Sequence, residues 1–268
     1  MGYQDESMSL FKGDCLKIMK REIPDKSIDL ILTDPPYGTT NCPWDSIIPL
    51  KEMWLQLHRV VKPQGAICLF GCEPFSTKLR ASNFDNYKYD WYWYKNRKSF
   101  FMHGKNRPLN QVELISVFSQ AGIGHVGKNN NRMNYKPVGM RLGKVQRVEA
   151  ENASKKHGQS INHGRSSVGK LYRPAENLPT NVLRHPCEPR PIHPTQKPTG
   201  LLQFLIKSYT EKGNVILDFT MGSGSTGVAA LNTNRRFIGI EMSDHFYEVS
   251  KKRLIKFKSR MKRNEDHI

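Results

Sequence analysis

The chain has 268 residues, room for one substantial core with an appendage, and carries 42 Lys and Arg against 24 Asp and Glu, a formal charge of +18. So positive a balance, with a pI near 9.8, suits a polyanionic partner and nucleic acid first; the membrane alternative is weakened because no apolar run nears the roughly 18 residues of a spanning helix. The five cysteines form no C-x-x-C pair and the first seven residues are polar and acidic, so neither a zinc site nor a disulfide framework nor a leader is expected, and the protein is read as reduced, metal-free and cytoplasmic. In chain order, Ser9–Phe11 reads as a short strand entering Gly13-Asp14-Cys15, and residues 16–22 as a helix stopped by Pro24. The apolar run Ile28–Thr33 is a buried strand, residues 47–62 have helical spacing, and Lys62-Pro63-Gln64-Gly65 turns the chain into strand Ala66–Phe70. A helix over 74–83 and strands over 87–94 and 112–118 follow. After the middle of the chain, residues 199–209 read as a helix, 214–219 as a strand, 225–232 as a helix, 236–241 as a strand and 244–257 as a helix. Strands alternating with helices imply an α/β fold with a mostly parallel sheet covered on both faces.

Between 121 and 190 this pattern lapses. Thirteen basic residues face four acids there, half of the net charge. The segment is rich in Asn, Gly and Ser and poor in large apolar residues, so it is either a disordered insertion or a surface for phosphates and base edges. Arg132, Arg141, Arg147, Arg165 and Arg173 are its candidate nucleic-acid contacts, joined by Lys95, Arg97 and Lys98 after the aromatic strand.

Two strings carry chemistry. Thr33-Asp34-Pro35-Pro36-Tyr37-Gly38 follows directly on a buried strand. A carboxylate there can accept a hydrogen bond from an amino group, two prolines fix the chain and remove donors, and the tyrosine offers a face to a flat ring. The second string runs from Asp218 through Thr220, Met221, Gly222, Gly224, Ser225 and Thr226 to Gly227, a strand, a glycine-rich turn and a helix start, with Glu241 at the end of the next strand, where it is placed for ribose hydroxyls. A phosphate loop would need a lysine after Gly227. The spacing G-x-G-x-x-G does occur from Gly222, so the glycines alone leave NAD and other adenosine cofactors open; the Asp34 string separates them.

Together with His193-Pro194-Thr195-Gln196-Lys197-Pro198, these strings resemble the DNA amino-methyltransferases that use S-adenosylmethionine, in the order where the tetrapeptide precedes the glycine turn. The resemblance covers about 1–120 and 191–260. It implies a circularly permuted, Rossmann-like class I methyltransferase fold, with 1–120 and 191–268 as the catalytic domain and 121–190 as an inserted target-recognition region. It also implies that Asp34, Pro35, Pro36 and Tyr37 are catalytic. Asp14, with Cys15, meets the cofactor adenine; Glu241 and Met242 its ribose; and Asp34, His193, Thr195, Lys197, Asp218 and the turn 220–226 its methionine part, Lys197 pairing with the α-carboxylate. Where the family usually has Asp-Pro-Phe this chain has Asp218-Phe219-Thr220, which leaves open the side chain nearest the methionine.

The activity implied is transfer of a methyl group to the N6 amino group of adenine in duplex DNA. The base would be flipped out and stacked on Tyr37, with Trp44, Phe100 or Phe101 as a second wall. The acid at the head of the tetrapeptide tilts the choice to adenine; N4 of cytosine, an RNA or protein-glutamine substrate, and a non-catalytic DNA-binding module are the alternatives. A homodimer and a cognate restriction endonuclease are further partners that the resemblance allows.

Overall fold

The computed structural model describes residues 2–39, 45–99, 101–124, 131–147, 171–173, 175–192 and 196–265. Trp44, Phe100, Arg165, His193 and Thr195 lie outside these residues. Strand β1 (Tyr3–Gln4) and β2 (Met8–Lys12) precede α1 (Cys15–Glu22), which Asp14 caps by accepting the Lys17 N–H at 2.9 Å. Then come β3 (Ile28–Thr33), α2 (Leu50–Val60), β4 (Val61–Gly71), α3 (Phe75–Ala81), β5 (Tyr87–Ser99) and β6 (Asn110–Phe118). Four two-residue strands follow, β7 (Arg141–Leu142), β8 (Gln146–Arg147), β9 (Leu171–Tyr172) and β10 (Ala175–Glu176). The chain closes with β11 (Val182–Arg184), α4 (Thr199–Tyr209), β12 (Val215–Asp218), α5 (Ser225–Asn232), β13 (Arg236–Glu241) and α6 (Asp244–Glu265).

Nine strands form one sheet in the order β1-β2-β13-β12-β3-β4-β6-β5-β11. Among them only β1 and β6 run against the rest. Side-chain alternation builds a core on each face. Leu30, Leu32, Cys68, Phe70 and Ile216 pack with α4, α5 and α6, while Ile31, Ile67, Leu69 and Leu217 pack with α1, α2 and α3. Strand β3 is buried along its whole length at the sheet centre. Its one charge, Asp29, is held by Lys62 Nζ at 2.7 Å and accepts the Val215 N–H at 2.9 Å, which ties β3 to β12.

Residues 1–136 with 181–268 form one compact unit, and 137–180 a second that holds the two ladders β7–β10 and β8–β9. Several expected boundaries move. Lys62–Gly65, read as a turn, belongs to β4, and β5 runs five residues past Tyr94, so Arg97 and Lys98 stand on a strand rather than in a loop. Val182–Arg184, read as part of the irregular middle, pairs in parallel with Tyr92–Tyr94 at the sheet edge. Helix α6 extends to Glu265, past the expected stop at 257.

Candidate active site

Strand order decides where the site forms. β12 and β3 are neighbours in space although 185 positions separate Thr33 from Asp218, and their carboxyl ends open the crevice at which α/β sheets bind ligands. A cleft of about 630 Å³ lies there. Its wall includes Asp14 and Cys15 after β2, Asp34, Pro35, Pro36 and Tyr37 after β3, and Lys197 ahead of α4. Asp218, Thr220, Met221, Gly222, Ser225 and Thr226 line it from β12 and its turn, with Glu241 and Met242 from β13. Gly224 is not in the wall. At φ 74° it turns the chain into α5, and a Cβ there would come within 3.1 Å of Ser250.

Two threonines join the tetrapeptide to the turn. Thr33 Oγ1 donates to Asp218 Oδ1 at 2.7 Å and accepts the Phe219 N–H at 3.0 Å; Thr220 Oγ1 donates to the Asp34 carbonyl at 3.0 Å. Asp45, absent from the sequence expectations, accepts the N–H groups of Tyr37, Gly38 and Thr39 at 2.7, 2.9 and 2.9 Å, closing the loop behind the prolines. Gly38 sits there at φ 66°, where a Cβ would strike Ile47 at 2.8 Å.

Around Asp34 the side chains form a compact charged group. Lys197 Nζ lies 2.7 Å from Asp34 Oδ2 and 2.7 Å from Glu113 Oε1. The Tyr37 hydroxyl donates to Asp34 Oδ1 and reaches Glu113 Oε1 at 3.2 Å, and Lys95 Nζ is 3.5 Å from Glu113 Oε2. Burial raises the Asp34 carboxyl above its ordinary value; Lys197 opposes this and Glu113 reinforces it. Burial also acts on Glu113, but Lys197 and Lys95 outweigh it and hold that carboxyl low. For Lys197, burial disfavours the charge and the two carboxylates restore it, so the ammonium is held more tightly than an ordinary lysine. Burial first, then both acids, pushes the Tyr37 phenol well above 10. Cys15 and Cys72 are pushed up to about 12 and about 11, chiefly by burial, and neither is a thiolate at neutral pH.

Some expected roles meet different surroundings. The Lys197 ammonium, expected on the cofactor carboxylate, is held by two acids of the protein itself. Lys95, expected on a DNA surface, is largely covered, faces Glu113 and lies over the Trp93 ring at 5.8 Å. Met221 lines the cleft but carries its sulfur into the core, 3.7 Å from Ser250 Oγ, under Gly239, where a Cβ would come within 2.3 Å of that sulfur. Tyr37 packs on Phe75 with ring centroids 5.2 Å apart and planes at 28°. Arg97, Lys98, Arg132 and Arg173 are exposed, as is Arg141, which pairs with Glu176 at 3.3 Å; of Arg147 only the strand position is described. Phe101 is exposed beyond the end of β5.

Glu241 accepts the Gly222 N–H at 2.9 Å on one oxygen and the Ser243 N–H at 2.8 Å on the other. Arg253 of α6 donates to the Ser223 carbonyl at 2.9 Å and to Ser225 Oγ at 3.0 Å, bracing the turn from behind. Asp218 is buried, and desolvation raises its carboxyl to about 6 from the usual 3.8 despite hydrogen bonds from Thr226, Thr33 and the Thr220 N–H. Between those two pH values the folded chain keeps a proton that the unfolded chain has lost, so this group's contribution to stability falls as pH rises through the window. Asp218→Asn is therefore expected to raise stability at pH 7.5 by up to about 3 kcal/mol and to flatten the pH dependence between 4 and 6. Thermal melts across that range check this; a variant that melts lower than the parent at pH 7.5 refutes it.

Among the described residues no His, Cys, Asp and Glu cluster could hold a metal, and no helix is long and apolar enough to cross a membrane. A family profile described as DNA methylase, of the N6/N4 type, matches residues 28–252. The DNA adenine methyltransferase YhdJ of Escherichia coli K12 is 26% identical over 94% of this chain and 84% of its own length. The type II methyltransferase M.HpaI of Haemophilus parainfluenzae is 27% identical over 91% of this chain and 73% of its own. Two solved structures share the fold: the PvuII DNA methyltransferase, described as cytosine-N4-specific, at TM-score 0.62 and 16% identity over 96% of this chain and 93% of that one, and the M1.HpyAVI–SAM complex at TM-score 0.57 and 21% identity over 92% and 100%. With the profile spanning all but the ends of the chain and a mixed sheet of the class I methyltransferase kind beneath the site, this protein belongs to the N6/N4 DNA methylase family.

Proposed function

We propose that the protein transfers a methyl group from S-adenosylmethionine to the N6 amino group of adenine in duplex DNA. The observation that carries this reading is that the Asp34 carboxylate and the Asp218–Thr226 turn line one cleft, braced to each other by Thr33 and Thr220.

The residues present fit the cofactor. In a chain of charge +18, five acids, Asp14, Asp34, Asp45, Asp218 and Glu241, line this one cleft, a local reversal of sign that suits a ligand bearing a sulfonium and an ammonium. Glu241 is fixed by the backbone N–H groups of Gly222, Ser243 and Met242, and its carboxylate lines the cleft, where it can accept from a ribose hydroxyl. When bound, S-adenosylmethionine supplies an already activated methyl group. Asp14 and Cys15 would hold its adenine end, Glu241 and Met242 the ribose, and Asp218 with the turn the methionine end. The M1.HpyAVI–SAM complex, with the same fold, supports this choice.

The protein's own task is then to orient an amine. An aromatic amino nitrogen is conjugated and weakly nucleophilic. Asp34 and the Pro35 carbonyl, accepting its two hydrogens, direct the lone pair away from the ring plane and stabilise positive charge growing on nitrogen. The one amino proton that must leave once the methyl is bound passes along the hydrogen bond to Asp34 and on to solvent. Tyr37, held against Phe75 and fixed by its hydroxyl, offers a rigid platform for the extruded base. Adenine is favoured by the acid at the head of the tetrapeptide and by the adenine-modifying relative YhdJ. The PvuII structure favours N4 of cytosine as the second reading.

The test is to incubate the full chain with methyl-labelled cofactor and separate pools of unmethylated genomic DNA, RNA and protein, then digest and chromatograph. Label on N6-methyladenine is expected. Label on N4-methylcytosine moves the reading to cytosine, and label absent from DNA overturns it.

On the same reading, residues 121–190 and the end of the β5–β6 hairpin contact the duplex. β5 points the same way as β3 and β12, so its exposed Arg97 and Lys98 emerge on the carboxyl edge that carries the cleft. Replacing both by alanine is expected to weaken duplex binding and to reduce the slope of log affinity against log salt by about 2. Anisotropy titrations at four salt concentrations measure it, and an unchanged slope removes these two residues from the interface.

A further inference from the structure

Glu113, like Asp45, is a residue of the site that no sequence motif flagged. It sits on β6 between Val112 and Leu114, ahead of the buried run Ile115–Phe118, and is 8% exposed. A carboxylate that deep is costly unless it is paired. Its partners in the cleft wall are also partners of Asp34: Lys197 touches both acids at 2.7 Å, and the Tyr37 hydroxyl donates to Asp34 and lies 3.2 Å from Glu113, while Lys95 closes the far side of Glu113 at 3.5 Å. The five side chains come from four segments, the loop after β3, β5, β6 and the approach to α4, so their meeting is a product of the fold and not of local sequence.

The consequence is mechanical. Lys197 has three donors, and in a low-dielectric wall a second fixed acceptor holds the ammonium in place against Asp34; the single Tyr37 hydrogen goes to Asp34. We propose that Glu113 is a positioning residue of methyl transfer: it anchors the Lys197 ammonium, and through it sets the direction in which Asp34 meets the amine. This rests on the methyltransferase reading above and adds to it a group that touches neither cofactor nor base. The Glu113 anion also opposes the Lys197 cation at Asp34, so Asp34 feels both charges together. The charged and titratable groups facing Asp34 are Lys197, Glu113, Tyr37, Cys72 and Asp218, with Lys95 behind Glu113.

Glu113→Gln keeps the size and one acceptor and removes the charge. With unmethylated genomic DNA and labelled S-adenosylmethionine, the variant is expected to bind cofactor within about threefold of the parent and to transfer methyl about 10²-fold more slowly, the cost of a small misplacement at the reacting atoms. The acid limb of its single-turnover rate profile is expected to move to lower pH, because Asp34 then keeps the Lys197 cation and loses the neighbouring anion. A purely structural role would lower the rate and leave that limb in place. Glu113→Asp keeps the charge but is too short to reach both partners; it is expected to slow transfer without moving the limb down, and it serves if the Gln variant does not fold. Parent-like transfer by either variant, or a slow Gln variant with an unmoved limb, overturns the assignment of Glu113 alone. If the parent labels no DNA, the methyltransferase reading itself has failed, and the assignment with it.

Discussion

Asp34→Ala is expected to reduce methyl transfer by at least about 10³-fold, since it removes an oriented acceptor at the atom where charge develops. Cofactor affinity is expected to stay within about threefold, because the turn after β12, Glu241 and Asp14 are untouched. The fold should also survive. Lys197 and Glu113 remain paired at 2.7 Å after the change, so no buried charge is stranded. Single-turnover labelling, cofactor titration and a thermal melt on one preparation separate these claims. A variant that keeps a tenth of the parental rate, or that loses cofactor binding along with transfer, means that the acid has been given the wrong role.

Lys197→Met has the opposite profile: it threatens the fold as much as the chemistry. With the cation gone, Asp34 and Glu113 face each other with Tyr37 between them, and only Glu113 retains a nearby lysine, Lys95. Stranding charge in this way is expected to cost about 3 to 5 kcal/mol, a fall in melting temperature of roughly 10 °C. The sign of the pH dependence follows. The parent's ammonium, held above its usual 10.5, contributes across the neutral range and is lost only as pH rises beyond that value. In the variant, one of the two acids must keep a proton. Its folded pKa is then raised above the unfolded value, and stability is recovered as pH falls from 7 toward 5. Melts at pH 5 and pH 7 are the measurement, and equal melting temperatures for variant and parent at pH 7 exclude the arrangement.

Much of the fold was legible because its central elements are bounded by strong signals. β3, α4, α5 and β13 lie where the apolar runs, the prolines and the glycines place them. The elements read short or missed are those whose limits depend on partners. β5 continues past its aromatic run because β6 supplies a strand to pair with as far as Ser99, and β11 is a strand because Tyr92–Tyr94 present a free edge to it. At the site, the acids that end strands were legible, because an acid after an apolar run is a local signal. Glu113 and Asp45 were not. A lone glutamate among Val112, Leu114 and Ile115 is a signal of a buried charge that needs a cation, but which cation depends on four segments meeting, and that is invisible along the chain. Lys197 shows the converse: the string around it was legible, and the partner it finds in the folded chain was not.

The two threonine bonds across β3 and β12 bear on how the gene for such a protein can be rearranged. They are bonds between neighbours in a sheet, and nothing in them depends on which strand is synthesised first. Chain order is therefore a free variable: a polypeptide with the glycine turn ahead of the tetrapeptide would assemble the same wall, provided that both strands keep their register.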